Sequence, residues 1–346
     1  MLVGMRIDEP ALAAAAAEDH LTGVVTIDTG DARRYERSFG YAHRALGVPN
    51  TPDTRFALAS GSKTFTAATV LRLVELGELG LSDPVRPILG ADLPLVDDSV
   101  TIEQLLDHTS GIGDYLDEEA DWDASDYVLP VPVHTLAETS GFLPVIDGHP
   151  QASAPGERFT YCNGGYILLA IIIERVSAIG FQDFVQQQVF DRAGMRASSF
   201  LRSDELPGDA ALGYLQASGD RTNVLHLPVR GNGDGGAYST AADLHRFWIS
   251  LLAGIILGDP LCAEMCRPRH VVPDEGLSYG LGVYVHTGAR LLAMEGYDAG
   301  VSMRSIHDPA TATTATVLGN SSEGVWPVAA LLLDLATEEG SRGSGG

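Results

Sequence analysis

Residues 60–76 read SGSKTFTAATVLRLVEL, a stretch whose apolar residues recur with the spacing of a buried helix. Gly77 and Gly80 follow, and they end the predicted helix. Ser60 stands at its start, where unpaired backbone N–H groups and the positive end of the helix dipole are found. Lys63 comes three residues later, so we expect both side chains on one face of the helix.

This spacing suits an activated serine. A serine hydroxyl is a weak nucleophile and needs a base beside it, and a desolvated lysine has a lowered pKa and can serve. Among the 22 basic residues, 21 are arginine and one is lysine, Lys63. Arginine keeps its proton at ordinary pH, so the single lysine indicates a position where a proton is released. An exposed lysine on a helix surface stays open as the alternative.

Composition excludes several classes of protein. The chain has 346 residues, of which 45% are hydrophobic and 20% charged, which suits one large domain or two interlocked ones and excludes disorder as the main state. It carries 46 acidic and 22 basic residues, for a formal charge of −24. A nucleic-acid binder needs a basic footprint, and an anionic membrane attracts one. We therefore expect neither nucleic acid nor membrane as a partner.

The cysteines and the N-terminal segment bear on the compartment. Three cysteines form no closed disulfide framework, and the spacing of Cys262 and Cys266 is not C-x-x-C, so we expect buried thiols. The N-terminal segment lacks the order of a signal peptide. The strongest apolar runs, 167–173 and 251–257, fall short of the roughly 20 residues that span a bilayer. We expect a soluble, cytoplasmic protein.

The order of the predicted elements bears on the architecture. Short apolar segments typical of strands are found at 21–28, 36–43, 279–286, 291–295, 300–307 and 313–318. Helical patterns are found at 9–19, 60–76, 101–108, 164–176, 181–190 and 326–338. Strands at both ends of the chain must share one sheet, with the helical middle inserted between them. We predict an α/β domain from residues 1–80 and 232–346, and a mainly helical inserted subdomain from 81–231.

A second candidate site is Tyr161-Cys162-Asn163. It follows a Pro-Gly-Glu turn and precedes the apolar helix, so it lies on a loop at a helix start. A tyrosine near a lysine ammonium has its phenolate favoured and can shuttle protons. Asn163 can hold a substrate amide or orient the lysine. A half-buried packing tyrosine is the alternative.

Together these candidates carry a resemblance to a family. The sequence resembles the serine hydrolases of the class C β-lactamase and DD-peptidase superfamily, including the esterases of that fold, from about residue 20 to 335. The matching segments are LLDHTSGI (105–112), PGERFTYCNGGY (155–166), AGM (193–195, with Ala in place of Leu), GGAYSTAADL (235–244) and YGLG (279–282). The resemblance implies a β-lactamase/transpeptidase-like α+β fold, in which helices flank an antiparallel sheet and an all-helical subdomain is inserted.

The resemblance also implies roles for residues. Ser60 would be acylated, and Lys63 would take its proton. Tyr161 would relay protons and activate the water or acceptor that removes the acyl group. Asn163 would position the substrate. The oxyanion hole would use the Ser60 N–H and a strand N–H near Tyr297. It implies no cofactor, and the spacing of the histidines indicates no metal site.

The chain departs from the family at the third motif. The family has Lys-Thr-Gly or His-x-Gly there, whereas residues 294–300 read MEGYDAG, with Met294 in the place of the cation and an acid beside it. We expect substrate contacts from Glu295, Gly296, Tyr297 and Asp298. The missing cation and the charge of −24 argue against penicillins and D-Ala-D-Ala peptides. Arg304 and Arg230 are the candidates to replace the cation.

An acidic segment, residues 114–126, follows the His-Thr-Ser-Gly turn, and seven of its thirteen residues are Asp or Glu. One interpretation is a solvated loop. The other is a lid that favours a neutral or cationic substrate, with Tyr115 and Trp122 offering aromatic faces.

The leading hypothesis is a serine hydrolase that cleaves an ester or amide of a neutral or cationic small molecule. An acyltransferase using the same acyl-enzyme is the first alternative. A β-lactamase or D-amino-acid peptidase is the second, which the absence of an export signal weakens. A non-catalytic binding module on this fold explains neither the lone lysine nor its spacing.

Overall fold

A computed structural model describes residues 7–116, 128–272 and 276–343. The helices are α1 (Glu9–Glu18), α2 (Lys63–Glu75), α3 (Arg86–Leu89), α4 (Ile102–Leu106), α5 (Leu143–Ile146), α6 (Asn163–Ser177), α7 (Phe181–Val185), α8 (Asp191–Ala193), α9 (Ala241–Leu252), α10 (Asp259–Met265) and α11 (Trp326–Gly343). The strands are β1 (Gly23–Thr29), β2 (Ala32–Phe39), β3 (Tyr41–His43), β4 (Val48–Pro49), β5 (Phe56–Ala57), β6 (Tyr238–Ser239), β7 (His270–Val272), β8 (Leu277–Tyr279), β9 (Tyr284–His286), β10 (Leu291–Asp298), β11 (Val301–Asp308) and β12 (Thr313–Gly319).

Eight strands form one antiparallel sheet in the order β2-β1-β12-β11-β10-β9-β8-β7. The first long strand lies between β2 and the last strand, with Gly23 opposite Gly319. Strands from the two ends of the chain therefore pair side by side near one edge of the sheet, as the placement of the predicted strands requires. The antiparallel sheet flanked by helices confirms the predicted fold class. The division at residues 81–231 stays a prediction.

Helices cover both faces of this sheet. Successive residues of a strand point to opposite faces, and accordingly Val24 packs with the large core around α2 and α6, while Val25 packs with α1 and α11. Leu12 of α1 and Leu332 of α11 are buried against that second face. The sheet is therefore a middle layer, and α2 lies on the side of the larger core.

Two predicted strands are each divided in the structure. The segment 36–43 breaks at Gly40, whose φ is +63°, between β2 and β3. The segment 279–286 breaks between β8 and β9, where Gly282 has φ +77°. A Cβ at Gly282 would lie 2.4 Å from the Cβ of Ala67 in α2, so the backbone passes closely over that helix. A residue with left-handed backbone dihedrals ends a strand, and the alternation of apolar and polar residues in the sequence does not show where such a residue lies.

The predicted helix at 60–76 has two parts. A 3-10 turn covers Ala59–Ser62, and α2 begins at Lys63. The helix is buried along most of its length, and the Phe65 ring packs edge-on against the rings of Phe190 and Phe247, with centroids 5.1 and 4.9 Å away. Edge-to-face packing of this kind fixes the helix firmly in the core.

Strand β10 lies directly against this 3-10 turn. At Gly296 an added Cβ would be 2.0 Å from the Leu58 carbonyl oxygen and 2.9 Å from the Gly61 nitrogen. Only glycine permits this approach of two backbones. The contact places β10 beside Ser60.

Among the described residues, no single helix is long and apolar enough to cross a membrane. One pair, Asn163–Ser177 with Phe181–Ala193, passes that test only when its two parts are taken together, and it is bent by 80°.

We predict that Gly296→Ala lowers the free energy of unfolding by about 2 kcal/mol, because β10 must move away from the Ser60 turn. Urea denaturation measures the change. Gly208→Ala is the matched control, since an added Cβ there meets nothing within 4 Å. Equal urea midpoints for the two variants would contradict the close contact.

Candidate active site

Ser60 lies in the 3-10 turn that leads into α2. The residue before it, Ala59, has φ +43°, a left-handed conformation that a non-glycine residue adopts at a cost. The Gly61 N–H donates to the Leu58 carbonyl, 2.9 Å away, and closes the turn. Ser60 itself is partly exposed, and it lines an open cleft together with Tyr161.

Lys63 points to Ser60 from inside the protein. Only 2% of the residue is exposed, so the exposed-lysine alternative is wrong. Its Nζ lies 2.9 Å from Ser60 Oγ. It also donates to Asn163 Oδ1 and to the Asp234 carbonyl oxygen, each at 2.7 Å. These contacts hold the amine against the hydroxyl.

The second motif closes over the same lysine. Asn163 begins α6, and its side-chain oxygen orients Lys63, one of the two roles expected for it. Lys63 Nζ is 5.0 Å from the centroid of the Tyr161 ring and 5.8 Å from that of Tyr166. The structure therefore brings Ser60, Lys63, Tyr161 and Asn163 together, although 100 residues of sequence separate the lysine from the asparagine.

His108 supports the loop that carries Tyr161. Its Nδ1 accepts a hydrogen bond from the Cys162 N–H at 3.1 Å, and its carbonyl oxygen accepts from the Thr160 N–H at 2.9 Å. The imidazole lies 4.3 Å from the Tyr161 ring, centroid to centroid. Burial, followed by the nearby charge of Lys63, holds the pKa of His108 well below its usual range. The neutral imidazole of His108 therefore packs against the Tyr161 ring and supports it.

Asp114 holds the start of α6. Its Oδ2 accepts from the Asn163 N–H at 2.5 Å, and its Oδ1 accepts from the Gly164 N–H at 2.9 Å. A carboxylate at a helix N-terminus satisfies unpaired donors and complements the helix dipole. Burial raises the pKa of Asp114, and the same backbone hydrogen bonds oppose that rise. This member of the acidic segment is thus structural, and neither a solvated loop nor a lid describes it.

The aromatic residues of the predicted lid are only partly described. Tyr115 donates its hydroxyl to Asp234 Oδ2 at 2.8 Å, so it faces the site and not the solvent. Trp122 lies outside the described residues, as do residues 117–127 as a whole. The lid stays a prediction.

Sequence reasoning did not identify Asp234. Its carbonyl oxygen binds Lys63, and its carboxylate accepts from Tyr115. Burial raises the pKa of this carboxyl, and the charge of Lys63 acts against that rise. The available signal was the glycine-rich sequence GDGG at 233–236, which overlaps a matched segment but begins before it.

The strand residues predicted to contact substrate are divided between two cavities. Glu295, Gly296 and Tyr297 line the open cleft with Ser60, while Asp298 lines a separate, less open cavity. The Tyr297 hydroxyl donates to Glu323 Oε1 at 2.8 Å.

An arginine does stand in the cleft. Arg304 lies directly across the sheet from Glu295, pairs with its Oε2 through Nε at 2.7 Å and places its guanidinium 5.6 Å from the centroid of the Trp326 ring. Arg230 lies elsewhere and donates to the Phe200 carbonyl at 3.2 Å. Met294 is 1% exposed and packs in the core. Of the two candidate cations, only Arg304 lines the cleft, and Glu295 balances its charge.

No group of three or more His, Cys, Asp or Glu residues within the described ranges is arranged to hold a metal ion.

Comparison with known proteins assigns the chain to a family. The beta-lactamase family profile matches residues 10–337. Penicillin-binding protein 4 of Amycolatopsis lactamdurans is 31% identical over 243 residues, which cover 68% of this chain and 60% of the relative. The chain spans about three fifths of the length of the curated relatives it matches.

Solved structures with the same fold support this assignment. A penicillin-binding protein from Bacillus halodurans superposes with a TM-score of 0.86 at 36% identity, covering 94% of this chain and 99% of its own. A D-amino acid amidase from Ochrobactrum anthropi SV3 has a TM-score of 0.75 at 21% identity, covering 97% and 99%, and shows the same fold.

The depressed pKa of His108 predicts acid sensitivity. Below about pH 6.5 this histidine binds a proton in the unfolded chain but not in the folded chain. The free energy of unfolding therefore falls as the pH drops below 6.5, by up to about 1.4 kcal/mol per pH unit for each such histidine. His307, whose pKa burial lowers to about 3, acts in the same direction. We expect His108→Gln to lose less stability than wild type between pH 7 and pH 5.

Urea unfolding at the two pH values measures this. His134→Gln is the control, because it removes an exposed histidine and should keep the wild-type slope. An unchanged slope in His108→Gln would show that His108 accepts a proton without cost.

Proposed function

The chain belongs to the beta-lactamase family of serine hydrolases, and from that premise we propose that it cleaves an ester or amide bond through an acyl-enzyme on Ser60. The observation that carries this proposal is the hydrogen bond between the buried Lys63 Nζ and the cleft-facing Ser60 Oγ, 2.9 Å apart. A nucleophile within hydrogen-bond reach of a base that other groups orient is the arrangement acyl transfer needs.

The first half of the reaction forms the acyl-enzyme. Ser60 Oγ attacks the substrate carbonyl carbon, and its proton passes to the neutral amine of Lys63. The oxyanion accepts hydrogen bonds from the backbone N–H groups of Ser60 and Tyr297. Tyr297 is the residue after Gly296, whose backbone lies in close contact with the Ser60 turn. The bond to the leaving group then breaks, and the leaving group takes the proton held on Lys63, relayed through the Tyr161 hydroxyl.

The second half releases the acid. Water enters from the open cleft, passes a proton through Tyr161 to Lys63 and attacks the acyl carbon. The bond between that carbon and Ser60 Oγ then breaks, and Oγ takes the proton back from Lys63. Asn163 and the Asp234 carbonyl keep the Lys63 nitrogen in place through both halves. Holding the base in position contributes to catalysis because it removes the entropy cost of alignment.

The charges of the cleft support a neutral or cationic substrate. Glu295 neutralises Arg304, so the cleft offers no unpaired cation there to a substrate carboxylate. Asp234 and Asp298 line the neighbouring, less open cavity. An anion there would be repelled by these two carboxyl groups when they are charged.

Two further functions use the same residues. An acyltransferase would admit an alcohol or amine in place of water. A D-amino-acid peptidase or β-lactamase is favoured by the penicillin-binding proteins among the relatives, whereas the pairing of Arg304 with Glu295 in the cleft argues against it.

We expect a fluorophosphonate probe to label wild-type protein at one site, and Ser60→Ala to abolish labelling. Lys63→Arg should reduce the labelling rate at least about a hundredfold, because arginine cannot accept the proton. Intact-protein mass spectrometry measures both. Ser218→Ala, at an exposed serine, is the matched control and should be labelled like wild type.

Undiminished labelling of Ser60→Ala, or no labelling of wild type, would contradict the acyl-enzyme. An ester panel with and without acceptor amines then separates hydrolysis from acyl transfer by the products formed. A fluorescent penicillin tests the third function, and stable labelling of Ser60 would favour it.

We predict that Glu295→Gln raises kcat/KM for an anionic ester, relative to a neutral ester of the same shape, by about tenfold, because Arg304 is then uncompensated. Glu9→Gln is the control, since it breaks an ion pair with Arg37 on an exposed surface. Equal charge preferences in the two variants would show that Arg304 does not meet the substrate.

A further inference from the structure

A second cavity, less open than the cleft, is lined by Ala59, the residue before Ser60. Its volume is about 70 Å³, which suits a short chain and not a polymer. Its walls are largely apolar and include the buried side chains of Phe142, Val145 and Ile167. Such a cavity favours apolar atoms that leave water.

Residues next to the reacting groups in the chain, or bonded to them, form part of the cavity wall. Ala59, Asp234 and Asp298 line it: the first precedes Ser60, the second holds Lys63 and the third follows Tyr297. The cleft with Glu295 reaches Ser60 from elsewhere. A carbonyl carbon on Ser60 has two substituents. The leaving group must depart and admit water, which needs the open cleft, whereas the acyl group stays bonded and can occupy an enclosed space.

Two polar side chains in the cavity wall have no partner. Asn232 is 1% exposed, and within the described ranges neither its Oδ1 nor its Nδ2 makes a hydrogen bond. The Ser203 hydroxyl, also in the wall, has no partner among those residues either. A buried polar group left unpaired costs about 1–3 kcal/mol. Unpaired groups in a cavity wall therefore point to a ligand that completes them.

The chemistry of the missing partner follows from these groups. An asparagine amide offers one acceptor and donors, so its complement is a neutral group that also donates and accepts. A carboxamide fits this description. A carboxylate does not, because Asp234 and Asp298 line the same cavity. A plain alkyl chain fills the cavity but leaves Asn232 unpaired.

We propose that this cavity is the acyl-side subsite and that it selects a short apolar acyl chain ending in a carboxamide, bound by Asn232 and Ser203. This inference rests on the proposed acyl-enzyme on Ser60. It goes further in assigning the part of the substrate that is retained on the enzyme.

Three 4-nitrophenyl esters of matched length test the subsite: the glutaramate, with a terminal carboxamide; the 5-methylhexanoate, its apolar isostere; and the glutarate monoester, with a carboxylate. After correction for spontaneous hydrolysis, we expect wild type to prefer the glutaramate over each of the others at least about tenfold in kcat/KM, since the alternatives leave Asn232 unpaired or add repulsion.

Asn232→Leu should lower the ratio of glutaramate to 5-methylhexanoate by at least about tenfold, because leucine fills similar space without polar atoms. Ser203→Ala should also lower this ratio, by a smaller factor. Because this substitution removes only a hydroxyl, it still tests the subsite if Asn232→Leu misfolds. Ser218→Ala is the control and should keep the wild-type ratio. Thermal unfolding of each variant reports on its fold.

The outcomes separate this inference from the proposal beneath it. If fluorophosphonate labels Ser60 and the esters turn over, but wild type shows no preference or neither variant changes it, the subsite is wrong and the acyl-enzyme stands. If neither labelling nor turnover occurs in wild type, the proposed function is wrong and this inference is wrong with it.

Discussion

The rest of the structure is arranged around the buried nitrogen of Lys63. A buried amine needs oxygen partners, because an unpaired charge in a protein interior costs several kcal/mol. Ser60, Asn163 and Asp234 supply these partners from three separate segments of the chain. The start of α2, the start of α6 and the loop before β6 must therefore converge on one point. This convergence leaves the serine hydroxyl facing both the lysine and the cleft.

Two further buried groups keep that convergence rigid. Asp114 ties the first N–H groups of α6, so Asn163 cannot drift from Lys63. His108 accepts from the Cys162 N–H and lies under the Tyr161 ring. Neither side chain needs to react. Their work is to hold the reacting groups within hydrogen-bond distance, which is the larger part of what a protein contributes to such a site.

The surroundings of Ser60 are asymmetric, and this asymmetry bears on specificity. On one side, the cross-strand pair of Glu295 and Arg304 makes a polar, charge-balanced cleft. Next to Ala59, a less open and largely apolar cavity contains the Asn232 amide, which makes no hydrogen bond to any residue that the structure describes. In the proposed acyl-enzyme reaction, the acyl group and the leaving group thus lie in surroundings of different polarity. The fold alone does not specify either preference, because fold and substrate are separable.

The sequence by itself determined the features that local patterns encode: the buried helix after Ser60, the spacing of Lys63, the turn before Tyr161 and the strand segments at both ends of the chain. Side-chain periodicity and turn residues carry these, because they act between neighbours. The antiparallel arrangement of those strands was expected from the family resemblance. Only the tertiary structure decided that the Asp234 carbonyl holds Lys63, that Glu295 neutralises Arg304 and that the Asn232 amide makes no hydrogen bond within the described ranges. A backbone oxygen has no sequence signature, and contacts between distant segments depend on how helices and strands pack. The same packing over Ala67 at Gly282 breaks a strand that local patterning predicts as continuous.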